Sequence, residues 1–134
     1  DKAYSESTYA REAFGIEDDH IPHQGIAYNI INETAEKLNM PVTASNIHSS
    51  DVFYRTKKGT PPVAAKNNCV CVEMEAFALF ANAQNLGKMA ATIVTISDII
   101  PTHESMSADQ RQSSLDNMTK LALESVLAIH EKIA

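Results

Sequence analysis

Residues 72–79 read Val72-Glu73-Met74-Glu75-Ala76-Phe77-Ala78-Leu79, and farther along the chain comes Thr95-Ile96-Ser97-Asp98. Each quotation holds the end of a short apolar run that stops at an acid, and one helix-length segment lies between them. The runs predict strands over 69–74 and 89–96, joined through that helix by a right-handed parallel crossover. As neighbouring parallel strands they bring Glu75 and Asp98 to one sheet edge, where open α/β sheets bind ligands. Two carboxylates over one crevice suit two tasks, hydroxyl recognition by one and proton donation by the other. The expected class is α/β.

The rest of the chain alternates in the same way. Residues 1–24 read as polar and irregular, with Glu17-Asp18-Asp19 as a solvated acidic turn. Apolar residues at 26, 27, 30, 31, 35 and 38 form an amphipathic helix stripe, stopped by Pro41. Residues 42–49 read as a strand, 57–62 as an exposed loop and 62–67 as a short helical turn. Residues 75–86 read as a helix apolar on nearly every side, hence buried, with Gly87 as its C-cap. The run 89–96 is apolar throughout and β-branched towards its end, as in a strand covered on both faces. Ser107 and Gln110 form a capping-box pattern that opens a long last helix. Leu115, Met118, Ala122, Val126 and Ile129 are its expected buried stripe.

Composition excludes several classes. A chain of 134 residues, 44% hydrophobic and 21% charged, suits one globular domain with a real core. A net charge of −6 without a basic stripe argues against nucleic acid. No apolar run approaches the roughly 18 residues of a membrane span, and no signal-peptide pattern opens the sequence, so the expected compartment is the cytoplasm. Cys69 and Cys71 read as two buried reduced thiols, because residues two apart on a strand pair poorly as a disulfide. His20 and His23 have a ligand-like spacing but no further donors nearby, so no metal site is expected. Two Asn-x-Thr patterns, at Asn32 and Asn117, fall in predicted helices and carry no meaning for glycosylation.

Taken together, Val72-Glu73-Met74-Glu75-Ala76, Ser97-Asp98, Thr102-His103-Glu104, Arg111 and the tail Ala122-Leu123-Glu124-Ser125-Val126-Leu127 resemble the hexameric bacterial-type purine nucleoside phosphorylases. Ser50-Asp51-Val52-Phe53-Tyr54 is similar to the stretch that lines the purine pocket in that family. The resemblance runs from about Asn46 to the last residue, and more weakly through the helix over 26–38. It implies a three-layer α/β/α phosphorylase/hydrolase-like fold, of which residues 1–134 would be the C-terminal portion of a single domain. The implied reaction is phosphorolysis of purine (deoxy)nucleosides to free base and (deoxy)ribose 1-phosphate, with inorganic phosphate as co-substrate and no cofactor. Asp98 is implied as the general acid for the purine N7, and Arg111 as the cation that swings towards it when the last helix rearranges. Glu75 would accept from the ribose 2′- and 3′-hydroxyls, and Met74 would lie beneath the sugar. Phe53 would stack near the base beside Val72, Ser97 would orient Asp98 or touch the base, and Tyr54 matches the motif. Implied partners are the N-terminal half of the same enzyme and further copies of itself.

Each residue also has a plainer reading. An Asp after a buried strand often serves a turn, and a first-turn Glu favours the helix dipole. Met74 and Phe53 suit a core, Arg111 suits solvent, and Glu73, alternating with Glu75, should face elsewhere. Their joint occurrence in this order carries the resemblance. The family pattern is not matched throughout: Ile99 stands where a histidine is common and Pro101 where an arginine is usual. The Gly-rich turn that holds phosphate has no counterpart among Gly15, Gly25, Gly59 and Gly87. Two other readings stay open. One is a non-catalytic piece that keeps nucleoside-pocket residues. The other is a nucleosidase of the methylthioadenosine type using water, which shares Val-Glu-Met-Glu and Ser-Asp but not the Thr102–Arg111 stretch.

Overall fold

The computed structural model describes residues 1–57 and 59–134, with backbone alone at Ser113. In chain order the first elements are β1 (Lys2–Tyr4), α1 (Tyr9–Phe14), β2 (His20–Pro22), α2 (Ala27–Lys37), β3 (Ile47–Ser49) and α3 (Pro62–Lys66). There follow β4 (Cys71–Glu73), α4 (Ala76–Leu86), β5 (Asp98–Ile99), β6 (Glu104–Ser105) and α5 (Ala108–Ile133). The α/β class is observed. The chain divides into two compact units, Asp1–Tyr28 with Thr43–Thr92, and Asn29–Val42 with Ile93–Ala134.

The first unit is built on a four-stranded sheet in the order β2-β1-β3-β4. β1 pairs parallel with β3 and β3 with β4, while β2 runs antiparallel to β1. The segment 1–24 is therefore not irregular. Ala3 and Ile21, each at most 1% exposed, face the core from strands only three residues long. Polar neighbours hide so short a pattern. α4 lays Phe77 and Phe80 on the sheet with Ala10 of α1, Ile47 and Ala81. Burying each phenylalanine contributes about 1.5–3 kcal/mol. α4 is not buried all round, since Leu79 and Leu86 are exposed. Gly87 ends it at φ 60°, the left-handed cap expected from the sequence.

Three sequence expectations are corrected. The strand over 42–49 shrinks to β3, and residues 42–46 make no ladder. The run 89–96 is not a sheet strand covered on both faces: only Ala90 bridges to Gln24, and Val94 and Ile96 are exposed. An apolar β-branched run specifies extended backbone, but a ladder needs a neighbour, and among the described residues this run has none beyond that bridge. The expected parallel pairing of 69–74 with 89–96 is thus replaced by the β3–α3–β4 unit, whose strands are parallel neighbours. Gly25 explains the local approach at the bridge, because a Cβ there would sit 2.5 Å from Met89 Cγ.

In the second unit, β5 and β6 form a hairpin and α5 follows at once. Ser107 caps α5 with the full capping box, its Oγ accepting from Gln110 N and Gln110 Oε1 accepting from Ser107 N. The buried stripe of α5 is set by Leu121 and Ser125, 1% and 2% exposed, not by Leu115 and Val126, which are exposed. Ser125 is buried because its hydroxyl donates to Leu121 O at 2.7 Å, so a polar residue takes a core position. A stripe chosen by hydrophobicity alone passes it over. Among the described residues no helix is long and apolar enough to cross a membrane. Of the loop expected over 57–62, Lys57, Gly59 and Thr60 are exposed, Pro61 is half-buried, Pro62 opens α3, and Lys58 lies outside the described residues.

Candidate functional site

Three parallel strands end at one sheet edge. Beyond β1 stand Ser5 and Glu6, beyond β3 stands Ser50, and beyond β4 stand Met74 and Glu75. This is the edge of an open α/β sheet where ligands bind. It is polar and ordered by hydrogen bonds. Ser5 Oγ donates to Ser49 O at 2.6 Å, and Ser50 N donates to Glu73 O at 2.8 Å.

Glu73 organises the corner. One of its oxygens accepts from Glu75 N at 2.8 Å and Ala76 N at 2.7 Å, and the other accepts from the buried Ser49 hydroxyl. The same hydroxyl oxygen accepts from Phe77 N at 2.9 Å. The first amides of α4, which no helical carbonyl can serve, are satisfied by these two side chains. Glu73 is thus a structural acid; two residues apart on a strand it would share a face with Glu75, and the end of β4 at Glu73 is what parts them. Glu75 is the N-cap residue of α4 but makes no cap with its side chain, and its carboxylate is exposed. Its one described contact is from Met74 N at 3.2 Å.

Val72, Met74, Phe53 and Tyr54 are exposed in the first unit, so none is a core residue there. Phe53 and Tyr54 meet edge to face, centroids 5.0 Å apart. Cys69 and Cys71 are free and only half-buried, a correction to the expectation of full burial. Burial pushes both thiols up, and at Cys71 the charges of Glu73 and Cys69 add to the rise. His20 stacks on Tyr4 and bonds Asp19, and His23 stacks on Tyr28.

The second unit holds the other predicted residues. Asp98 starts β5, and Ser97 before it donates from Oγ to Asp98 Oδ2 at 2.5 Å. Arg111, on the first turns of α5, donates from Nη2 to Asp98 Oδ1 at 3.0 Å. Ser97 O accepts from Met106 N at 2.9 Å, closing the hairpin behind the acid, and His103 makes its turn with φ 58°. The pair is half-exposed, 46% at Asp98 and 52% at Arg111, so its Coulomb energy is screened and adds little stability. Both carboxylate oxygens have side-chain partners, and neither partner is backbone. Such an acid can exchange partners without unmaking an element.

Asp98, Ser97 and Arg111 are therefore brought together as a cluster. Glu75, Met74, Val72, Phe53 and Tyr54 belong to the first unit, Val72 within β4 and the others after its strand ends. A network of Glu6, His48, Arg55 and Ser50 at that same edge was not anticipated. A histidine inside the expected strand over 42–49 was its one sequence signal.

A family model described as the Phosphorylase superfamily matches residues 19–129. The chain belongs to that superfamily. A DeoD-type purine nucleoside phosphorylase of Mycoplasma genitalium is 40% identical over 129 residues, which cover 92% of this chain and 52% of that protein. Its counterpart in Mycoplasma pneumoniae is 36% identical with the same coverage. The chain thus spans about half the length of the curated relatives it matches. A purine nucleoside phosphorylase of Toxoplasma gondii, solved with immucillin-H, superposes with a TM-score of 0.78 at 15% identity, covering 97% of this chain and 54% of that one. At that identity the superposition speaks for the fold alone, and it agrees with the phosphorylase-superfamily assignment.

Proposed function

We propose that this chain supplies the base-, sugar- and acid-bearing part of a purine nucleoside phosphorylase. The observation that carries the reading is the Asp98 carboxyl held by Ser97 and Arg111 on a hairpin beside a capped helix start. In the reaction, an oxygen of inorganic phosphate bonds to C1′ of the (deoxy)ribose. The C1′–N9 bond breaks with its electron pair going to the purine. Asp98 enters as the neutral acid, before Arg111 engages it, and gives its proton to N7, so the base leaves neutral rather than as an anion. The Arg111 guanidinium and the Ser97 hydroxyl then stabilise the carboxylate left behind. Glu75 accepts from the 2′- and 3′-hydroxyls, Met74 supports the sugar, and Val72, Phe53 and Tyr54 receive the base.

No cofactor enters this scheme. The phosphate site comes from the remaining length of the enzyme, its N-terminal half, with this chain as the C-terminal portion of one domain. The enzyme assembles as a homo-oligomer, a hexamer by resemblance to the bacterial branch, and works in the cytoplasm. The test is phosphate dependence. The full gene product carrying this chain, given inosine, should release hypoxanthine and ribose 1-phosphate only when phosphate is present. Release at the same rate in water alone would replace the phosphorylase with a nucleosidase. No release under either condition would leave the non-catalytic reading.

A further inference from the structure

Phe53 and Tyr54 are 75% and 88% exposed. Side chains so bare take little position from packing, so their placement must come from the backbone on either side. Among the described residues no regular element runs between β3 and α3, and an unanchored loop there would lose conformational freedom each time it met a ligand.

The anchors exist on both flanks. Before the pair, Ser50 Oγ donates to Val52 O at 2.9 Å and accepts from Val52 N at 3.2 Å, which folds the turn upon itself. After the pair, Arg55 Nη2 reaches back to Ser50 Oγ at 2.7 Å, closing the loop across its base. The same Nη2 lies 3.4 Å from Glu6 Oε1. Glu6 uses its other oxygen, Oε2, on His48 Nε2 at 2.7 Å, and His48 is 2% exposed on β3. A rigid strand therefore holds an acid, the acid holds an arginine, and the arginine holds the loop.

We propose that Glu6 and Arg55, seated on buried His48, are positioning residues that hold the Phe53–Tyr54 pair ready for a purine base. The inference rests on the reading that this loop receives the base. Neither residue touches the reacting atoms, so the clamp acts on binding and leaves proton transfer alone. An arginine is suited to the task because Nη2 carries two N–H groups, one for the hydroxyl and one for the carboxylate.

The test uses the full gene product with Arg55→Met, Glu6→Gln and the double variant. KM for inosine should rise about tenfold in each, with kcat within about twofold and KM for phosphate unmoved. The double variant should be no worse than Arg55→Met, since both substitutions open one chain of contacts. Hydrogen exchange at the Val52 amide, whose acceptor is Ser50 Oγ at the base of the loop, should accelerate about tenfold in the variants, with β1 and β3 unchanged. Faster exchange with an unaltered inosine KM would overturn the proposal, as would unaltered exchange or a fall confined to kcat. A wild-type protein without phosphorolysis would instead overturn the functional reading. Exchange would then still report whether the clamp exists.

Discussion

Glu73 and Asp98 are both acids that close a short apolar run, and the molecule uses them in opposite ways. Glu73 stands where β4 gives way to α4 and is spent on the fold: two backbone amides and a buried serine hydroxyl converge on it. Asp98 stands on a hairpin, half-exposed, with a serine and an arginine side chain as partners. An acid bonded to backbone cannot move a proton to a ligand without unravelling the helix start. An acid bonded to side chains alone is free of that constraint. Partner type, more than position in the sequence, separates the two carboxylates.

That contrast can be broken by stability measurements. Glu73→Ala leaves the amides of Glu75 and Ala76 without acceptors and should cost about 2–3 kcal/mol in urea unfolding. Ser49→Ala removes the acceptor for Phe77 N and a donor to Glu73, and should cost about 1–2 kcal/mol by the same measurement. Asp98→Ala breaks only a half-exposed pair and should stay within about 0.5 kcal/mol. A larger loss at Asp98 than at Glu73 would invert the comparison.

Acid titration sharpens it further. Burial pushes the Glu6 carboxyl up, but its bonds to His48 and to its own backbone, with the charges of His48 and Arg55, outweigh this and hold it below its ordinary 4.5. A lowered folded value means the stabilisation is complete above 4.5 and is lost as pH falls through that lowered value. The urea midpoints of wild type and Glu6→Gln should therefore differ most near neutrality and converge in acid. A gap that widens on acidification would contradict the assignment.

Much of this was legible in the sequence because it is local. The capping box at Ser107 and Gln110, the Gly87 cap, the Pro62 turn and the grouping of Ser97 with Asp98 each depend on residues a few positions apart. What was not legible depends on distant partners. The apolar run 89–96 announces extended backbone but not what it pairs with, and β1 and β2 are too short for their pattern to rise above polar neighbours. The α5 stripe was displaced because Ser125 is apolar in effect, its hydroxyl being satisfied within the helix. The Glu6–His48–Arg55 network joins residues 42 and 49 positions apart, so no local spacing could reveal it. Glu73 was expected to face away from Glu75, yet residues two apart share a strand face; the end of β4 and the bonds of Glu73 to the first amides of α4 are what part the two acids.

In the proposed reaction Asp98 carries a proton to N7. A nucleoside already methylated at N7 leaves as a neutral base and needs no such proton. In the full gene product, Asp98→Asn should lower kcat/KM for inosine by about 10²–10⁴, and for 7-methylinosine by less than about tenfold. Equal losses on the two substrates would contradict the general-acid role.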